Sequence, residues 1–149
     1  MTHGTLSAFG NATWTRLKQQ TSTAAPNVTL SGTLFNVPKF KARGGVSWSG
    51  ERLTATAIAN FVAPETDNVS TPTREVGSWT TVDATVAYQF PTSDGLSKGT
   101  SLTLSISNLL DRAPPRALSP ALAFPGLAFD STNASIVGRF VSLTLKKAW

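Results

Sequence analysis

The sequence predicts an all-β chain: about six antiparallel strands forming a segment of an up-and-down transmembrane β-barrel. Three observations carry this expectation. Apolar and polar residues alternate with a period of two in one stretch after another, the pattern of a strand with one apolar and one polar face. The connections between these stretches fall into a short and a long class. Aromatic residues gather at the stretch ends, while Ala, Val, Leu and Ile fill the middles.

The first strand, residues 6–14, alternates weakly and is rich in Ala and Thr. The second is sharper, with Phe40, Ala42, Gly44, Val46 and Trp48 set against Lys39, Lys41, Arg43, Gly45 and Ser47. A third, residues 53–61, is again weak. In the fourth, Val82, Ala84, Val86, Tyr88 and Phe90 share one parity, and in the fifth Leu102, Leu104 and Ile106 do so. The last alternates Val141, Leu143, Leu145, Lys147 and Trp149 with Phe140, Ser142, Thr144, Lys146 and Ala148. Each approaches the length of about 9–11 residues that crosses a bilayer at a tilt. Ser49-Gly50 and Ser93-Asp94-Gly95 mark tight turns, whereas residues 18–38, 64–78 and 111–138 are long connections rich in Pro, Thr, Asn and Ser. Short turns on one rim and long loops on the other describe an outer-membrane barrel.

Composition narrows the alternatives. Only 14% of the 149 residues are charged, against roughly 25% in an ordinary soluble domain, and 40% are hydrophobic. No apolar run reaches the roughly 18 residues of a spanning helix. With no cysteine, disulfides, thiolate metal sites and Cys nucleophiles are excluded. The lone His3 lies near the terminus, where it is expected to be solvent-exposed, and cannot form a catalytic triad or a His-rich metal site. The net charge of +5 is spread over 13 Lys and Arg without a run, which argues against nucleic acid as a partner. The acidic residues sit mostly in turns and loops, none in the setting of an acid/base dyad, so neither an enzyme nor a cofactor site is expected.

Running the strands up and down places Trp48, Tyr88, Phe90 and Trp149 at a lower aromatic girdle. Trp14, Phe40, Phe61 and Trp79 form an upper one. Lipid interfaces select such belts, because Trp and Tyr combine an apolar ring with a polar handle. Val141, Leu143, Leu145 and Trp149 form the lipid-facing ridge of the last strand. Lys39, Lys41 and Arg43 occupy alternate positions on the opposite, lumen-facing side, as does Asp83, which could pair with such a base. A soluble β-sandwich binding module, or short chains completing a barrel by assembly, remain open on the residues alone.

Several ordered motifs carry a family likeness. Asn36-Val-Pro-Lys-Phe-Lys-Ala-Arg-Gly-Gly-Val-Ser-Trp48 resembles the entry to a late barrel strand of TonB-dependent outer-membrane receptors. Residues 79–90 resemble the next downward strand. Residues 104–115 are similar to the signature V-x-N-L-F-D-R-x-P-P, with Leu110 in place of the usual Phe. Residues 129–149 resemble the closing strand with its final aromatic. The resemblance implies a 22-stranded barrel of which residues 1–149 form the C-terminal portion, with plug, TonB box and signal peptide absent. It further implies outer-membrane lipid of a Gram-negative bacterium as surroundings and a ferric siderophore-type ligand in the full-length receptor. TonB would be reached only through the missing N-terminal part. Val141, Leu143, Leu145 and Trp149 would be the signal read by the barrel-assembly machinery. On this likeness the basic strip could meet an anionic siderophore or plug carboxylates, or be merely a solvated wall.

Overall fold

The computed structural model describes residues 4–91, 98–118 and 128–148. His3, the Ser93-Asp94-Gly95 turn and Trp149 lie outside the described residues. The elements are β1 (Thr5–Trp14), β2 (Lys18–Gln19), β3 (Val28–Thr29), β4 (Phe40–Ser49), β5 (Leu53–Val62), β6 (Glu65–Asp67), β7 (Arg74–Val76), β8 (Trp79–Gln89), β9 (Thr100–Ser107) and β10 (Phe140–Lys147). The six long strands form one antiparallel sheet in the order β1-β4-β5-β8-β9-β10. Among these six, every strand pairs with its neighbour in sequence, the up-and-down topology that alternation and short turns imply. β1 and β10 are its edges.

Register makes the two faces continuous. Opposite partners share a face, so one line runs Leu6, Trp48, Ala55, Val86, Leu104, Leu143 across all six strands. A parallel line runs Ala8, Val46, Ala57, Ala84, Ile106, Val141. This face is aliphatic throughout its middle. A one-residue slip of any strand would turn its apolar set to the other side. The opposite face carries a line of hydroxyls, Ser7, Ser47, Thr56, Thr85, Ser105 and Ser142. Within it, Ser47 Oγ and Thr56 Oγ1 are 2.8 Å apart.

Burial is inverted relative to a water-soluble domain. No described residue of the six long strands is buried. Trp14 is 75% exposed and Leu143 67% on the apolar face. Among the described residues the buried apolar side chains include Leu34, Val76, Ala117 and Phe129, all in the connections at one end of the sheet or in β7. A soluble sandwich would close a second sheet over the apolar side; here that side is bare. A patch this extensive marks an interaction surface, and an aliphatic one bounded by aromatics fits lipid.

The long connections hold structure that the sequence did not announce. Residues 18–38 include the β2–β3 ribbon, and residues 64–78 include the β6–β7 ribbon. Thr33 bridges Thr66, and the amides of Leu34 and Thr66 bond Thr66 O at 3.1 Å and Gly32 O at 2.8 Å. Ala117 N donates to Ala128 O at 2.8 Å. Together these connections make a packed cap at the end opposite the short turns.

Candidate functional site: the polar wall and the cap above it

Two basic side chains stand on the polar face of β4. Arg43 lies in a line with Asn11, Asn60 and Thr81, and Lys41 in a line with Thr13, Val62 and Trp79. Both are exposed. Lys39 corrects the expectation of a three-residue basic strip. It precedes β4, because the chain turns into the cap there, and a Cβ at Gly32 would meet the Lys39 Cγ at 2.7 Å. Its stem therefore packs against the loop.

Asp83 is on the predicted polar face, where its two oxygens tie together three elements. Oδ2 accepts from Asn60 Nδ2 at 2.8 Å, and Oδ1 accepts from the Asn108 amide at 2.9 Å. Asn108 is buried with φ of 51°, and Asp111 follows with φ of 52°. Asn and Asp tolerate this left-handed region best among residues with a Cβ. The Asn108 side chain closes the turn, donating to Arg112 O at 3.0 Å and accepting from Arg112 N at 2.9 Å. Asp111 Oδ1 then accepts from Arg139 N at 2.8 Å, leading the chain toward β10. The residues Asn108-Leu-Leu-Asp-Arg112 are thus a hydrogen-bonded lock at the upper end of β9. Asp83 serves that lock through amides and not through a basic side chain.

An apolar island interrupts the polar wall. Phe9, Gly45 and Ile58 lie in one line, and a Cβ at position 45 would sit 2.7 Å from both Phe9 Cζ and Ala57 O. Only glycine admits the ring there, and the ring in turn covers the exposed strand backbone.

Aromatic side chains gather at both ends of the long strands. Trp14, Phe40 and Phe61 share the apolar face at one height, with ring centroids 6.2 Å and 6.1 Å apart. At the other end Tyr88 and Phe90 meet edge-on at 5.1 Å, and the Trp48 ring lies against Gly4 and Gly50. Trp79 is a correction. It stands at the upper end of β8 but pairs with Val62, on the polar face, and its indole N–H points to Arg112 O at 3.5 Å. Its parity is opposite to that of Val82 and Val86, so strand pleat places it inward. Val141, Leu143 and Leu145 share the apolar face of β10, each more than half exposed, and Lys147 at its end donates to Lys98 O.

Sequence reasoning missed a carboxyl pair in the cap. Asp130 Oδ2 accepts from the Phe35 amide at 2.8 Å and Asn133 Nδ2 at 2.9 Å, and Oδ1 from the Thr132 amide at 2.8 Å. Burial works against its charge, but the bonds from Asn133, Phe35, Glu65 and Thr132 outweigh it and hold the carboxyl below its ordinary value. Glu65 is pushed up to about 8, by burial first and then by its hydrogen bond with Asp130 and that group's charge; Lys41 pulls weakly the other way. Both groups lie beyond the ends of the long strands. Nothing local announces a pair 65 positions apart. Among the described residues no group of three or more His, Cys, Asp and Glu side chains could hold a metal ion.

A six-stranded antiparallel sheet with one apolar face, one polar face, the short β4–β5 turn at one end and packed connections at the other has the architecture of a β-barrel wall. More specifically, residues 3–109 match the family model described as TonB dependent receptor-like, beta-barrel, and the chain belongs to this family. The family is one of outer-membrane receptors and transporters of Gram-negative bacteria, not of enzymes. The match runs from β1 through the turn at Asn108 and stops short of β10. The chain matches no curated protein and no solved structure.

Proposed function

We propose that this chain is the C-terminal wall of an outer-membrane receptor for TonB-dependent uptake of ferric siderophores or similar chelates. The observation that carries the reading is the unbroken in-register apolar face, backed by a polar face bearing Lys41 and Arg43. In this reading outer-membrane lipid covers the first face, and the second lines the passage. A plug and TonB act through sequence other than these 149 residues, and the barrel-assembly machinery reads the last strand. Lys41 and Arg43 favour ligands of negative charge, since both are exposed on the polar face of β4. Two exposed charges of this kind contribute on the order of 1 kcal/mol each to an anionic partner.

The test is ligand binding by outer membranes carrying the receptor with Lys41→Ala and Arg43→Ala together. Affinity for an anionic ferric chelate should fall roughly 30-fold, with affinity for a neutral chelate of similar size unchanged. Equal affinities for both chelates in the variant and the parent would overturn the assignment of the basic pair to ligand capture.

A further inference from the structure

The cap holds a second chemical feature that the transport reading does not use. Asp130 is the meeting point of three connections: its own, the β1–β4 connection through Phe35, and the β6–β7 ribbon through Glu65. Asn133, beside it, also donates to Asn36 O at 2.7 Å. Glu65 is 5% exposed. As a carboxylate it would leave Oε1 buried without a donor, beside a second carboxylate in a small cavity that Val62, Val76, Trp79 and Pro115 also line. Asp130 is saturated by N–H donors and keeps its charge. A proton kept on Glu65 and donated to Asp130 completes the bonding between the two groups without placing two carboxylate charges side by side. The cavity lined by the pair holds only about 20 Å³, space for a single water and far too small for an organic ligand.

We propose that Glu65 and Asp130 form a binding site for one proton, and that this shared proton latches the three outer connections into a closed cap. This goes beyond the transport reading and rests on the buried, undonated Glu65 Oε1 beside Asp130 and on the three connections that meet there. The charged groups acting on Glu65 are Asp130 from the β9–β10 connection and Lys41 from β4. Its partner on β7 is the uncharged Val76. Asp67, on the same ribbon, is engaged by the amides of Val69 and Ser70 at 3.0 and 3.2 Å and by the Ser70 hydroxyl. In the closed cap Glu65 keeps its proton up to pH about 8, whereas in an opened, hydrated cap it titrates near 4.3. The latch is therefore fully present in acid. It weakens about tenfold per pH unit as the pH rises between these two values, and levels off above about 8.

Amide hydrogen exchange of residues 65–76 and 130–134, on the assembled barrel in lipid vesicles and corrected for intrinsic exchange, reads the latch. Opening should increase about 100-fold from pH 5 to pH 7 in the parent. In Glu65→Gln, whose side-chain N–H can still donate to Asp130 but does not titrate, it should be independent of pH. The strands of the six-stranded sheet serve as an internal control and should show no such dependence. Opening in the parent that stays constant over pH 5–8 would overturn the proposal, even if the variant does not fold. So would a Glu65→Gln variant with the parent's pH profile, or closure that depends on added calcium instead of acid.

Discussion

Replacing adjacent residues of β8 by arginine separates a lipid-embedded sheet from any soluble arrangement. Ala84 is the sixth of the eleven residues of β8, midway between the two aromatic levels. Its partners on the apolar face are Ala57 and Ile106. Thr85 is at nearly the same height but faces the polar side, between Thr56 and Ser105. An arginine at 84 must enter hydrocarbon, at a cost of about 2–4 kcal/mol at the midplane. That is roughly a 30- to 1,000-fold shift of the folding equilibrium. The methyl side chain of Ala84 adds little to the loss. At 85 the guanidinium meets a hydroxyl-lined, wet wall and should change stability by no more than about 0.5 kcal/mol. Val86→Arg, one step nearer the Tyr88 level, should fall between the two, since the penalty declines toward the interface. Leu104→Arg and Thr103→Arg repeat the comparison on β9. Urea-dependent folding of the assembled barrel into vesicles, followed by gel-mobility shift, measures each difference. Equal costs at 84 and 85 would refute the assignment of faces.

Two further outcomes follow from the same structure. Asp83→Ala leaves the buried Asn108 amide without its acceptor and should cost about 1–3 kcal/mol, loosening exchange protection around residues 108–112; stability unchanged in urea titration would remove Asp83 from the lock. The six-stranded sheet by itself exposes the unpaired edges of β1 and β10, which hydrocarbon does not tolerate, so the 149-residue chain expressed alone with an export signal should aggregate or be degraded, and ligand-dependent uptake by such cells would contradict this.

The strands were legible because a sheet with one apolar and one polar face imposes strict alternation. β4, β8, β9 and β10 show it plainly. β1 and β5 show it in diluted form, as Ala and Thr blur the contrast while keeping the parity. The short ribbons were not legible: Lys18–Gln19 and Val28–Thr29 are two residues each, too brief for a period to register. Trp79 was misplaced because position at a strand end fixes height, whereas face is fixed by counting from Val82. The parity of Asp83 with the polar face was legible, but its partners were not, because the bond to Asn108 depends on a turn whose left-handed residues leave only the weak signal of Asn and Asp. The Glu65–Asp130 pair was invisible for a different reason. Its members are joined only when three connections fold over one another, and each carboxyl taken alone is an ordinary loop acid.

The central claim, that one face of this sheet meets lipid and the other meets water, is tested most directly along β10. The sequence contains no cysteine, so each introduced thiol is the sole labelling site. A fluorophore placed in turn at residues 141–146 of the membrane-assembled protein can be challenged with brominated lipid and with aqueous iodide. The account predicts strict alternation, with lipid quenching at 141, 143 and 145 and iodide quenching at 142, 144 and 146. Uniform iodide quenching along the strand, with no response to brominated lipid, would contradict it.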